Sequence, residues 1–208
     1  MPAGLFITFE GGEGTGKSSH AKRLARRLTR SGRKVVLTRE PGGTPQGEAV
    51  RGLLLHGEAA RWSAAAEALL NYAARDAHLA GVIRPALKRG AIVISDRFMD
   101  STRAYQGHAG GVEQGFLDRL EEAVVGRTRP GLTLVFDVDP KLGLERAGRH
   151  GGTDRFESRG LAFHRRLRKG FLEIARGDPD RCVVIDSARP VEEVAEDVWR
   201  TVAARLPR

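Results

Sequence analysis

Leu5-Phe6-Ile7-Thr8-Phe9-Glu10, followed directly by Gly11-Gly12-Glu13-Gly14-Thr15-Gly16-Lys17-Ser18, is the stretch on which the reading of this chain turns. The first part is an apolar run of strand length. The second has the form GxxxxGK[ST], and helical periodicity begins at Lys17. In that strand, loop, helix context the sequence is a phosphate-binding loop. Its glycines let backbone N–H groups turn inward around phosphate oxygens, and the helix points its positive dipole end at the same anion. Lys17 is placed to reach β- and γ-phosphates and the Ser18 hydroxyl to ligate Mg²⁺. Gly11, Gly12, Glu13, Gly14, Thr15, Gly16, Lys17, Ser18 and Ser19 are therefore the candidate ATP-binding residues.

Outward from the loop, the pattern alternates. Lys17 to about Ser31 places Ala21, Leu24, Ala25 and Leu28 on one face, with Gly32 as its stop. Lys34 to Thr38 reads as a second strand, ending in Arg39-Glu40-Pro41-Gly42-Gly43. Helical segments follow at Gly47–Leu55 and Ala64–Lys88, the latter with a bend expected at Pro85. Ala91–Arg97 is a buried-type strand, Phe98–Gly111 a polar stretch given no regular element, and Val112–Val125 a helix. Leu132–Pro140 is the fourth strand, then come helices at Lys141–Gly148 and Leu161–Arg176, a strand at Cys182–Asp186 and a helix at Val191–Leu206. Strands alternating with helices predict an α/β fold, a five-stranded parallel sheet with helices on both faces.

At 208 residues with no break in composition, the chain is expected to form one domain, 1–208. Its apolar runs are only strand-sized and the N-terminus lacks a basic segment leading into an apolar one. Neither signal peptide nor membrane span is expected. The lone Cys182 excludes an internal disulfide, and the cytoplasm is the expected setting. A net charge of +9 favours polyanions, which leaves nucleotide phosphates and nucleic acid both open.

The phosphate loop is common to many enzyme classes. The chain has no Asn-Lys-x-Asp segment of the guanine-reading kind and no apolar strand ending in Asp-Glu. A strand ends instead in Asp96-Arg97. A carboxylate there can hold Mg²⁺ through water, with Ser18 its partner, while a guanidinium can clamp a second phosphate. That arrangement suits bringing an acceptor phosphate to a donor.

Beyond the loop, Thr38-Arg39-Glu40-Pro41-Gly42-Gly43-Thr44, Asp96-Arg97-Phe98 with Asp100-Ser101-Thr102, Ala104-Tyr105-Gln106-Gly107, Asp154-Arg155-Phe156-Glu157 and the closing Ile185-Asp186 give a specific resemblance. Over essentially its whole length the chain resembles the bacterial thymidylate kinases. The resemblance implies a nucleoside monophosphate kinase-like P-loop NTPase fold with an arginine-bearing lid, and γ-phosphoryl transfer from ATP to dTMP. It also implies a homodimer with no nucleic-acid or membrane partner. Carried onto matching positions, it gives Glu13 to the sugar 3′-hydroxyl and Arg39 and Arg97 to the acceptor phosphate. Arg75 and Gln106 go to the thymine and Tyr105 to the space beside the deoxyribose, while Ser101, Thr102 and Arg51 line the same pocket. The candidate catalytic residues are Glu13, Lys17, Arg97, Arg149 and Arg155, and Ser18 with Asp96 form the metal set.

The bacterial pattern places transition-state charge on a lid, here about 146–158, with glycines at 151 and 152 and with Arg149 and Arg155. Arg168 is the residue of the next helix expected to face inward. One position departs from the family: the phenylalanine usually found four residues before the thymine-binding arginine is Asn71, with Tyr72 beside it. A uridylate or cytidylate kinase, a nucleoside kinase and a basic nucleic-acid-binding module stand as alternatives. The Arg39–Gly43 and Tyr105-Gln106 segments weigh against the first. The paired arginines weigh against the second, and the lack of aromatics among the arginines against the third.

Overall fold

The structure, a computed structural model, describes residues 4–57, 61–149 and 155–206. Five strands, β1 (Phe6–Gly11), β2 (Val35–Arg39), β3 (Ile92–Asp96), β4 (Leu132–Asp137) and β5 (Cys182–Asp186), form a sheet in the order β2-β3-β1-β4-β5. Every pairing is parallel. The register sets Arg39 beside Asp96, and Asp96 beside Phe9, so the carboxyl ends of β2, β3 and β1 open at one level. The connections leaving the neighbours β1 and β3 run in opposite directions across the sheet, which opens a crevice above those ends.

Alternation within β1 decides what each face of the sheet sees. Ile7 and Phe9 pack on one side against Ala21, Leu24 and Leu28 of α1 (Lys17–Arg30) and against Val194, Val198 and Val202 from the closing helix, Val191–Ala203. Phe6 points the other way, into a cluster with Tyr72, Leu79, Ile83, Val93, Phe98 and Met99. Thr8 and Glu10 share that second face and are fully buried, with Thr8 hydrogen-bonded to Thr133 of β4 at 2.8 Å. Buried polar groups at mid-sheet are tolerated because each finds a partner.

After α2 (Pro45–Leu55), the helix expected over Ala64–Lys88 divides into α3 (Ala64–His78), a π-helical turn (Leu79–Ile83) and α4 (Arg84–Lys88). The break precedes Pro85, which sits in the first turn of α4, where its missing N–H costs no helix bond. The stretch Phe98–Gly111, given no element from sequence, is helical: α5 (Met99–Thr102) runs into a π-helix (Arg103–Ala109) that buries Ala104, Tyr105, Gln106 and Gly107. Tyr105 and Gln106 line a cleft while Arg103 pairs with Glu121 and His108 is exposed, so no amphipathic stripe marks it in sequence. The remaining helices are α6 (Gln114–Val124), α7 (Pro140–Gly148), α8 (Leu161–Gly177) and α9 (Val191–Ala203). No helix among the described residues is long and apolar enough to cross a membrane.

Candidate active site

A cleft of about 800 Å³ lies above the carboxyl ends of the strands. At one end is the phosphate loop. Gly14 has φ 63, and a Cβ there would come within 1.9 Å of the Gly143 carbonyl of α7, so the loop and α7 are packed backbone to backbone. Lys17 folds over the loop, donating to the Gly12 carbonyl and, at 3.1 Å, to the Thr15 hydroxyl. Burial and the nearby Arg97 charge push its amine down to about 8. The Ser18 hydroxyl donates to the Asp96 carboxylate across the β1–β3 crevice.

Arg97 follows β3 with φ 71, in the left-handed region that side chains other than glycine rarely adopt. Such strain persists where surroundings over-determine it. Its guanidinium donates to Glu13 at 3.0 and 3.1 Å, to the Gly11 carbonyl at 2.9 Å and to Ser101 at 3.2 Å, and lies 5.0 Å from the Tyr105 ring centre. The Tyr105 hydroxyl also donates to Glu13. Burial works against ionising Glu13, but the charges of Arg97 and Lys17 outweigh it and hold the carboxyl at about 2. Beneath them Glu10 accepts from the Phe98 N–H at 2.8 Å and from Ser101 at 2.5 Å. Burial, with the Asp100 charge, pushes Glu10 up to about 8.

The other end of the cleft is floored by α3. Arg75, 1% exposed, donates from Nε to Glu40 at 2.8 Å and from Nη2 to Thr102 at 3.1 Å. Its guanidinium lies 4.6 Å from the Tyr72 ring centre and 5.1 Å from that of Phe98. Nη1 is buried and unpartnered. Glu40 also binds His78 at 2.9 Å, and His78 reaches Thr38 at 2.6 Å. Gln106 lines the cleft and donates its amide N–H to Glu67 at 2.8 Å.

The structure brings most of the expected residues to this one cleft: Glu13 through Ser19, Arg39, Arg51, Arg75, Asp96, Arg97, Ser101, Thr102, Tyr105 and Gln106 all line it. Gly11 and Gly12 form the strand end and loop entry beneath. Arg39 is held by Glu48 at 3.0 Å and Arg51 donates to the Pro41 carbonyl at 3.1 Å. Asn71 lines the cleft, its amide bonded to the Glu67 carbonyl at 2.8 Å, whereas Tyr72 is turned into the core beneath Arg75.

Two expected residues are placed elsewhere. Arg155 is buried against Glu67 at 2.6 Å, and its backbone N–H donates to Leu55 at 3.4 Å, because the chain returning there packs onto α2 and α3. Arg149 caps the end of α7 on the surface. The segment expected as a lid includes residues 150–154, which lie outside the described residues. Arg168, expected to face inward, is half-exposed and pairs with Asp137 at the end of β4 through both carboxylate oxygens at 2.7 and 2.8 Å.

Sequence reasoning missed Glu67 and His78 behind the lining and, on the lining near the phosphate loop, His20, Ser187 and Arg189. The spacing Glu67, Asn71, Arg75, His78 puts these side chains on one helical face, a signal available in sequence but hidden by the alanines around it.

The family model described as Thymidylate kinase matches residues 9–198. The thymidylate kinase of Caulobacter vibrioides is 55% identical over 206 residues, covering 99% of this chain and 99% of that protein. The one from Dinoroseobacter shibae is 52% identical over 204 residues, covering 97% and 98%. A crystal structure of thymidylate kinase from Ehrlichia chaffeensis superposes with a TM-score of 0.80 at 34% identity, covering 97% of this chain and 100% of that one. With its phosphate loop, its paired cleft arginines and these relatives alike along the full length, the chain belongs to the thymidylate kinase family.

Proposed function

We propose that this protein transfers the γ-phosphoryl group of ATP to dTMP, giving dTDP and ADP. The observation that carries the reading is one cleft with a phosphate loop at one end and, at the other, a buried guanidinium whose Nη1 has no partner. A buried, unpartnered donor is costly unless a ligand completes it, and C4=O of thymine is the acceptor the family resemblance supplies. Gln106 and Tyr105 lie on the same lining, and the family resemblance assigns Tyr105 the space beside the deoxyribose. Arg39 and Arg97 flank the space between base and phosphate loop, suited to an acceptor phosphate.

Phosphoryl transfer asks for alignment and for positive charge on the migrating group. Lys17 and Arg97 supply fixed charge on the two sides of the transfer axis. Arg97, anchored by the Gly11 carbonyl and Glu13, is positioned before substrate arrives, which removes reorganisation from the reaction step. Ser18 and Asp96, in contact at the start of α1, fit a Mg²⁺ ion that keeps most of its waters and binds chiefly through phosphates. Its chemistry when bound is neutralisation of charge on the β- and γ-phosphates. Of the segment about 146–158 expected as a lid, Arg149 is the exposed cation nearest its start and the one left to that role, since Arg155 is held in the cleft floor.

The same reading carries one domain, a cytoplasmic setting and a homodimer. Leu53 and Leu69, 40% and 50% exposed on the adjoining helices α2 and α3, offer apolar surface for a second copy. The deciding experiment is ADP release from ATP with each nucleoside monophosphate in turn. dTMP should give the highest kcat/KM; a preference for UMP or CMP overturns the reading. Light scattering of the purified protein tests the dimer.

A further inference from the structure

Glu67 takes no part in the roles assigned above, yet it is wholly buried and makes the densest set of charged contacts in the floor of the cleft. One carboxylate oxygen accepts from Arg155 at 2.6 Å and Arg159 at 2.9 Å; the other accepts from Gln106 Nε2 at 2.8 Å. The Glu67 backbone carbonyl takes the Asn71 amide at 2.8 Å. A fully buried carboxylate on a helix that could carry leucine there needs a reason beyond packing, since ion pairs of this kind contribute little net stability.

The reason lies in hydrogen-bond polarity. Paired with two guanidiniums, the carboxylate can only accept, so the amide of Gln106 must turn its NH₂ toward Glu67. Its oxygen is then turned away from Glu67, on a residue that lines the cleft, and accepts no hydrogen bond from any described residue. Arg75 contributes the opposite polarity, because Glu40, Thr102 and the rings of Tyr72 and Phe98 fix its guanidinium and leave Nη1 as a donor without a partner. A base with an N–H beside a carbonyl, as in thymine and uracil, matches one acceptor and one donor. Cytosine carries the reverse pattern on that edge and would set donor against donor.

We propose that Glu67 is a positioning residue for base selection: by locking the orientation of the Gln106 amide it commits the cleft to pyrimidines bearing N3–H and C4=O and rejects cytosine. This rests on the reading of the cleft as an acceptor-nucleotide site. With Gln at position 67 the two guanidiniums hold its amide oxygen and its NH₂ faces Gln106, which must turn its own oxygen inward and its NH₂ to the cleft, so the discrimination should weaken. A site built to hydrogen-bond a particular edge rejects the mismatched one by leaving buried groups unpaired, so removing that constraint should be visible as a changed ratio.

The test measures kcat/KM with ATP for dTMP, dUMP and dCMP in the wild type, in Glu67→Gln and in the exchange Glu67→Gln with Gln106→Glu. In Glu67→Gln the dTMP-to-dCMP ratio should fall about tenfold or more. In the exchange, the amide at 67 donates to the carboxylate at 106, whose outer oxygen again faces the cleft as an acceptor, so most of the ratio should return. An equal loss on every substrate with an unmoved ratio overturns the proposal and leaves Glu67 as a packing residue. So does an exchange variant no more selective than Glu67→Gln. If Glu67→Gln does not fold, wild-type binding of N3-methyl-dTMP decides. Weakening by about tenfold or more relative to dTMP supports an acceptor facing N3, and binding within about twofold of dTMP overturns it. A wild type inactive on dTMP would sink the functional reading itself, whereas an active wild type with an unmoved variant ratio sinks this inference alone.

Discussion

The two ends of the cleft are built on different principles. The end proposed for the acceptor base is buried and almost fully paired: Glu40, Arg75, His78, Glu67, Gln106 and Arg155 are each no more than 4% exposed and hold one another through short hydrogen bonds. The phosphate-loop end is open, made of backbone N–H groups at the start of α1 and of the half-buried Arg146 and Arg189, with Arg149 on the surface outside it. A neutral base is recognised by a few weak, directional contacts, which discriminate only where water is excluded and the partners cannot reorient. A polyphosphate brings its own charge, and a helix N-terminus and flexible cations suffice to hold it. Mutations at the two ends should therefore fail in different ways: loss of fold at the first, loss of turnover at the second.

The largest effect expected is on stability. Glu40→Ala leaves Arg75 and His78 buried without their shared carboxylate, and breaking a buried pair costs about 3–5 kcal/mol. Denaturant melts measure it; a loss below about 1 kcal/mol would mean that the acceptor floor does not depend on this network and the contrast fails.

Lys17→Ala should lower kcat by about 10²–10³-fold, the scale seen for loss of one transition-state charge contact, with the melting transition nearly unmoved. The same lysine gives a pH signature. With its amine held at about 8, its charge in the free enzyme is lost as pH rises through that value, so kcat/KM should fall above about pH 8. Stability moves oppositely. Between about 8 and the ordinary 10.5 the unfolded chain binds the extra proton, so this residue's contribution to stability grows with pH across that window. Lys17→Ala should flatten both trends, read from pH–rate profiles and melts at each pH.

Arg149→Ala sharpens the comparison from the donor side. Its exposed position on α7 predicts a stability change within about 0.5 kcal/mol, while a role on the closing segment predicts a fall in kcat of about tenfold or more with little change in either KM. Unchanged kinetics would return the residue to the solvated surface. Arg155→Ala should show the reverse profile, a destabilised fold, because that guanidinium is part of the buried floor.

The smallest effect concerns Asn71. α3 is a regular helix through this point, so neighbouring side chains diverge by about 100°, and Tyr72 lies under Arg75 rather than over the cleft. Asn71→Phe should supply a ring to the base and lower the KM for dTMP about two- to tenfold, the worth of one aromatic contact. A raised KM would show that the Asn71 amide, through its bond to the Glu67 carbonyl, is part of the floor instead.

The phosphate loop, the five strands and the order of most helices were legible in the sequence, because each is encoded locally: a glycine spacing, an apolar period of two or a stripe at helical spacing. The π-helix at Arg103–Ala109 was not, since its Tyr105 and Gln106 line a cleft that exists only once the distant elements have assembled. Nor could sequence sort a surplus of arginines into roles. Arg75 and Arg97 were put in the cleft by the resemblance, but Arg155 was grouped with Arg149 on a lid, and what separates those two is a carboxylate brought from far away. Glu13 reaches Arg97 from 84 positions off and Glu67 reaches Arg155 from 88. Local chemistry fixes where a residue lies on its own helix or strand, whereas burial and pairing depend on which distant segment packs opposite, and only the tertiary structure decides that.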